Sequence, residues 1–172
     1  MAVKADGNWR SFRHRNYRIL FPANAASNIG TWAQRIAQDW LILQLTGNSG
    51  TYLGLVTAVQ FAPVLFFSLH GGVLADRVNK RKLLIATNFI GALSSLGLGI
   101  LVLLGQVQIW HVFFFALSLG ISSALDAPIR QSFTSEIVGH SDIANAVSLN
   151  SANFNAGRLV GPALSGFLIA RF

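Results

Sequence analysis

Residues 71–84 read GGVLADRVNKRKLL, one acid and four bases packed together in a chain of 172 residues of which only 11% are charged. Uncharged runs press on this stretch from both sides. Thr51–Val73 is 23 residues long and Leu83–Leu104 is 22, and each exceeds the ~20 residues needed to cross ~30 Å of hydrocarbon. A charged turn between two membrane-length runs makes the bilayer the solvent and predicts an all-α membrane protein.

Composition agrees. The chain is 52% hydrophobic with a mean hydropathy of +0.51, whereas soluble domains carry about 25% charged residues. Its net charge of +7 does not point to nucleic acid, because the bases fall in clusters separated by long uncharged runs rather than over one soluble face. There is no cysteine, hence no disulfide, thiolate nucleophile or thiolate metal site. The four histidines lack metal spacing, and no phosphate-cradling loop, nucleophile elbow or HExxH motif occurs. No enzyme, metal or cofactor is expected.

Three further segments reach or approach membrane length. Ile109–Leu125 is uncharged; Ile19–Leu43 and Ala146–Ile169 are long enough but are interrupted by Arg35, Asp39 and Arg158. Pro128 predicts a break beyond the fourth span. Asn24, Asn28 and Thr31 break the apolar run of the first span, which therefore reads as an uncleaved helix rather than a signal peptide. Five bases precede that span, four lie between spans two and three, and Arg130 lies between four and five, while the other two connections have none. The positive-inside rule then places the basic segment 1–18 in the cytoplasm of a multi-pass protein of the cell membrane, as in a bacterial inner membrane. Trp9, Phe12 and Tyr17, interleaved with its bases, suit an interfacial anchor, or alternatively a lipid-binding or regulatory arm.

The charged turn has a pattern as well as a charge. Gly72, Asp76, Arg77, Asn79, Lys80, Arg81 and Lys82 form G-x-x-x-D-R-x-N-K-R-K, which resembles the signature found between the second and third helices of the major facilitator superfamily. Asn79 stands where that signature has glycine; asparagine tolerates left-handed backbone, so the tight turn is expected to survive. The stretches SNIGTWAQRIAQDWLILQLTG, DAPIRQSF and LNSANFNAGRLVGPALSGFLIA resemble the drug and siderophore exporter branch. The resemblance implies proton-coupled export of a small molecule by alternating access between two six-helix halves. Residues 19–172 would then be helices one to five of the N-terminal half, with the sixth helix and the C-terminal half in sequence beyond this chain. Gly157, Gly161, Pro162 and Gly166 resemble the branch's fifth-helix antiporter motif, although a lone Gly166 stands where the family has a glycine pair.

Polar spacing suggests a path from the residues themselves. Asn24, Asn28, Thr31, Arg35 and then Gln38 or Asp39 recur every three to four positions, one face of a helix. Ser148, Ser151, Asn155 and Arg158 repeat the feature in the fifth span. Such stripes must face protein or water, because unpaired polar groups in hydrocarbon cost several kcal/mol; polar ties between helices are the alternative use. Arg35 and Asp39, four apart, form either a neutral bridge or a protonatable couple, and Arg158 needs an anion or other partner. Asp126 and Arg130 suit an inner gate with the Asp76 cluster, or plain capping. Lipid, protons, a small-molecule substrate and the absent C-terminal half are the expected partners, and nucleic acid is not. Proton-coupled uptake, or a membrane subunit that transports nothing, are the rival functions.

Overall fold

A computed structural model describes residues 9–68 and 79–171. After a 3-10 turn at Arg10–Arg13, five α-helices follow: α1 Arg15–Leu45, α2 Gly50–Ser68, α3 Lys80–Leu103, α4 Ile109–Val138 and α5 Ile143–Arg171. Of the motif in the charged turn, Gly72, Asp76 and Arg77 lie outside the described residues.

The connections carry the residues their geometry needs. Gly47 (φ 60°) and Asn48 (φ 64°) reverse the chain after α1, where the Asn48 N–H reaches the Leu43 carbonyl at 2.8 Å. Gly105 (φ 66°) does the same after α3, with Gln106 N–H on Leu101 O at 3.0 Å. Both satisfy carbonyls that a helix end leaves free. Asn79 departs from expectation. Its φ is −69°, and its side-chain oxygen accepts from the Lys82 N–H at 3.1 Å. The residue is thus an N-cap and not a left-handed turn: an asparagine that precedes a helix gains more by satisfying an orphan N–H than by entering strained backbone.

Pro128 does not break α4, which runs on to Val138 as a 30-residue helix. Proline removes one N–H, and neighbours that bond the following turns make the loss tolerable; here Asp126 and Arg130 are bonded to α1 and α3. At 1.5 Å per residue α4 is about 45 Å long, more than the hydrocarbon core requires.

By length and composition α2, α3 and α4 qualify as membrane crossings. α1 and α5 are long enough but carry polar stripes. Large apolar side chains cover the outside of the bundle, Leu65, Leu103, Leu159 and Phe167 among them, with Leu103 88% exposed. A surface of that kind belongs against lipid tails.

α1 packs along α5, α4 packs along both α2 and α3, and α1 crosses α4 at the centre, while α1 and α3 scarcely touch. Glycines set the tightest approaches. A Cβ on Gly157 would lie 2.8 Å from Asn28 Cβ, and one on Gly161 2.6 Å from Trp32 Cβ. On Gly120 it would lie 2.2 Å from the Gln60 carbonyl oxygen. These are the small-residue seams by which membrane helices come together.

The segment before α1 is docked on protein. Ser11 N–H and Oγ both donate to Asn145 Oδ1, at 2.9 and 2.8 Å. Arg13 Nε lies 2.8 Å and His14 Nε2 2.9 Å from Asp142 Oδ2, with Arg10 Nε 3.6 Å from Oδ1. The Asp142 side chain is buried. The His14 hydrogen bond, with help from Arg13 and Arg10, holds its carboxyl below the usual carboxylate range against the upward push of burial. Phe12, Tyr17 and Phe21 pack edge to face beside it, and the Tyr17 hydroxyl donates to Ala146 O and Asn150 Oδ1. The aromatic and basic interleaving is therefore a clasp on the α4–α5 connection, with Trp9 left 66% exposed.

Candidate functional site: a polar cleft among four helices

The weak contact between α1 and α3 leaves room. A cleft of about 1730 Å³ opens between α1, α3, α4 and α5 and runs almost the length of the bundle, from Val138 and Ala146 at one end to Gln44, Leu103 and Ile169 at the other. α1 contributes the polar face that its spacing predicts: Asn24, Asn28, Thr31 and Arg35 line the cleft, joined by Ser27 and Gln34. Gln38 continues the stripe in another direction, buried where Gln60 Nε2 of α2 donates to its Oε1 at 3.4 Å.

One network in the cleft wall bridges three helices. Arg130 Nε donates to Asp126 Oδ2 at 2.6 Å, and Arg130 also donates to Asn24 Oδ1 on α1. Asp126 Oδ1 accepts from Thr87 Oγ1 at 3.1 Å and Asn88 Nδ2 at 3.2 Å on α3. Ser27 Oγ closes the ring by donating to Asn88 Oδ1 at 2.7 Å. On the far side of this network lies a smaller pocket of about 460 Å³, bordered by Arg81 and Asn16; Asn24, Asn88 and Arg130 border both spaces. The ion pair and its partners thus form a partition between two cavities. Lys80 of α3 also pairs with Glu136 of α4, which offsets part of the unfavourable placing of bases at a helix N-terminus.

Two turns along, Ser95 Oγ of α3 donates to Gln34 Oε1 of α1 at 2.5 Å. The two α1–α3 ties share a register: Ser27 and Gln34 are seven apart, as are Asn88 and Ser95. Matched i, i+7 polar pairs in two spans were the available signal for this contact, which periodicity within a single span cannot give.

Arg35 and Asp39 are not joined by an ion pair. The Arg35 guanidinium lies instead over the rings of Trp32 (4.7 Å) and Phe61 (4.9 Å). Asp39 is half-buried and does not border the cleft. On α5 the stripe is displaced from the expected one. The face against α1 carries Asn153, Gly157, Gly161 and Ser165, with Asn150 beside it, because the glycines fix which side packs. Ser148 and Asn155 are exposed beside it, with Asn155 Nδ2 donating to the Ser151 carbonyl; Ser151 borders the cleft, and Arg158, though exposed, reaches back to α1 and sits 5.7 Å over Trp32. Pro162 lies within α5 next to the Gly161 contact, while a Cβ on Gly166 would meet nothing within 4 Å. Among the described residues no His, Asp or Glu cluster suits a metal ion.

A family model for transmembrane secretion effectors matches residues 6–172. The chain belongs to that family. Secretion effectors of this kind are major facilitator proteins, and the relatives are transporters, not enzymes. This effector chain is 30% identical over 154 residues to the staphyloferrin A transporter of Staphylococcus aureus, covering 89% of the chain and 38% of that protein. It is 29% identical over 157 residues to the multidrug efflux pump Tap of Mycolicibacterium fortuitum, covering 88% and 38%. To the enterobactin exporter EntS of Shigella flexneri it is 23% identical over 157 residues, covering 91% and 38%. The effector chain therefore spans about two fifths of the length of these curated relatives. No solved structure matches it.

Proposed function

We propose that this secretion-effector chain forms helices one to five of the N-terminal half of a proton-coupled exporter of a drug-like or siderophore-like small molecule, working by alternating access with a C-terminal half. The observation that carries the reading is the polar face of α1 bordering a cleft that runs along helices otherwise clad in apolar side chains. A membrane helix retains such a face only where protein or water meets it. Asp126 and Arg130, in the partition between the two cavities, are the inner gate, and the Gly72–Lys82 turn, with Asp76 at its centre, is the latch that holds one conformation. Arg35 and Asp39 are the proton-coupling pair. Their charges act on each other without closing into an ion pair, an arrangement that a change of state can tighten or part. The N-terminal clasp and the charged turn face the cytoplasm of a bacterial cell.

The test is efflux from proteoliposomes holding the full-length protein under an imposed pH gradient. Export driven by that gradient, lost in Asp76→Asn without loss of membrane insertion and uncoupled from pH in Asp39→Asn, is the expected result. Uptake with symport stoichiometry, or an unchanged pH dependence in Asp39→Asn, overturns the direction or the coupling respectively.

A further inference from the structure

The cleft is short of acceptors. Four buried donors on α1 have no partner, and three of them belong to the cleft: Asn24 Nδ2, Gln34 Nε2 and Arg35 Nε, the fourth being Gln38 Nε2 on the side toward α2. All three residues border the cleft. Asn24 is 4% exposed, so water does not freely solvate its amide, and its own oxygen is already taken by Arg130. Gln34 is in the same position, its oxygen taken by Ser95 and its NH2 left over. Among the described residues the charged ones bordering the cleft are Arg35, Asp126 and Arg130; Asp126 and Arg130 neutralise each other, while Asp39, whose charge acts on Arg35, lies outside the cleft and leaves the Arg35 guanidinium as the cation that faces it. Ser122 Oγ, likewise buried and unpartnered in the wall, adds a hydroxyl that can donate. Buried donors without acceptors are expensive, and a run of them about one helix face is a place shaped for something that brings oxygen atoms and negative charge.

We infer that the cleft binds an oxygen-rich anion, a carboxylate- or phosphate-bearing molecule, on the donors of Asn24, Gln34 and Arg35. This deepens the exporter reading and rests on it for the ligand being cargo, but the site itself is a matter of binding alone. A forked guanidinium takes such a group bidentately, and side-chain amides one turn or more away contact the rest of the molecule. Two sources offer the same chemistry, a soluble polycarboxylate and an anionic lipid headgroup entering from the open side of the cleft.

Trp32 and Trp40 border the cleft and supply a signal that needs no ion gradient. In zwitterionic nanodiscs, citrate added to the full-length protein should change tryptophan fluorescence saturably. Arg35→Gln should weaken the midpoint at least tenfold. Asn24→Asp is the sharper variant: it keeps the oxygen that Arg130 uses but turns the free donor into an acceptor that carries negative charge, so an anion should lose affinity steeply while a neutral or cationic ligand should not. Arg171→Gln, at the far end of α5, should leave the midpoint unchanged. Replacing part of the lipid by phosphatidylglycerol identifies the source: competition with citrate assigns the site to the headgroup, and no competition assigns it to the soluble anion. Absence of saturable change with either anion, a midpoint in Arg35→Gln and Asn24→Asp unchanged from the parent, or preference for a lipophilic cation overturns the inference. A protein that binds citrate but exports nothing sinks the exporter reading and leaves this one standing; one that exports but binds no anion does the reverse.

Discussion

Gly120, Gly161 and Gly166 sit in similar apolar company, yet a methyl group on each meets a different fate. At Gly120 it would lie 2.2 Å from a backbone oxygen of α2, and at Gly161 it would press on Trp32 Cβ and on the Ile29 carbonyl at 2.8 Å. Neither neighbour is a flexible tip, so Gly120→Ala and Gly161→Ala should each lose about 1–3 kcal/mol, as overpacking does, and lower the thermal midpoint in detergent. Gly166→Ala meets open space and should be neutral or slightly stabilising, since alanine is the better helix former. Gly161 was legible in the sequence because Gly157 precedes it by four residues. Gly120 was not, because a lone glycine in an apolar run carries no sign of what approaches it. Asp142 was likewise invisible: its partners Arg10, Arg13 and His14 lie some 130 positions away. With its carboxyl held below the usual range in the folded state, its contribution is present at neutral pH and is lost as pH falls through that depressed value. Limited proteolysis of the N-terminal segment should therefore accelerate in acid, and in Asp142→Asn should be faster already at neutral pH.

At the level of elements, the five helices were legible because uncharged runs of membrane length have few other uses. Their ends were less so. Pro128 suggested a stop, but the Asp126 and Arg130 turn of α4 is bonded to Asn24, Thr87 and Asn88 on two other helices, and no single-span pattern reports such support. The start of α3 gives a sharp expectation. Asn79 caps it through Lys82 N–H, so Asn79→Ala should weaken the first turn by about 1 kcal/mol, whereas Asn79→Gly should change it by only a few tenths. Hydrogen exchange at the Lys82 amide is the measurement, with faster exchange in the alanine variant and near-parental exchange in the glycine one. A glycine at this position of the superfamily signature and an asparagine here are, on this view, two solutions for the same helix start.

Across the whole molecule, the polar face of α1 was legible from its spacing, while the cleft it borders was not, since the cleft exists because α1 and α3 scarcely pack and meet chiefly through two matched polar ties. Its α3 wall is lined by Gly91, Ala92, Ser95 and Gly99, and a Cβ on Gly91 or Gly99 would meet nothing within 4 Å. Small residues facing open space also suit the close approach of another helix. Gly99→Cys in the full-length protein separates the two uses of that wall: a water-filled path predicts labelling by a membrane-impermeant maleimide, and a seated helix predicts protection.

The clasp between Ser11 and Asn145 has a consequence in time. Its two ends are 134 positions apart, and a chain leaves the ribosome from its beginning, so the segment made first cannot be seated until α4 has been threaded and the start of α5 has emerged. Until then Arg10, Arg13 and His14 have no carboxylate to grip, and the lead of α1 waits beside the membrane. Bringing such distant ends together is an ordering step that nearer contacts do not face. A segment made before any of the five helices is thus among the last to come to rest, and its protection from protease marks the arrival of the α4–α5 connection.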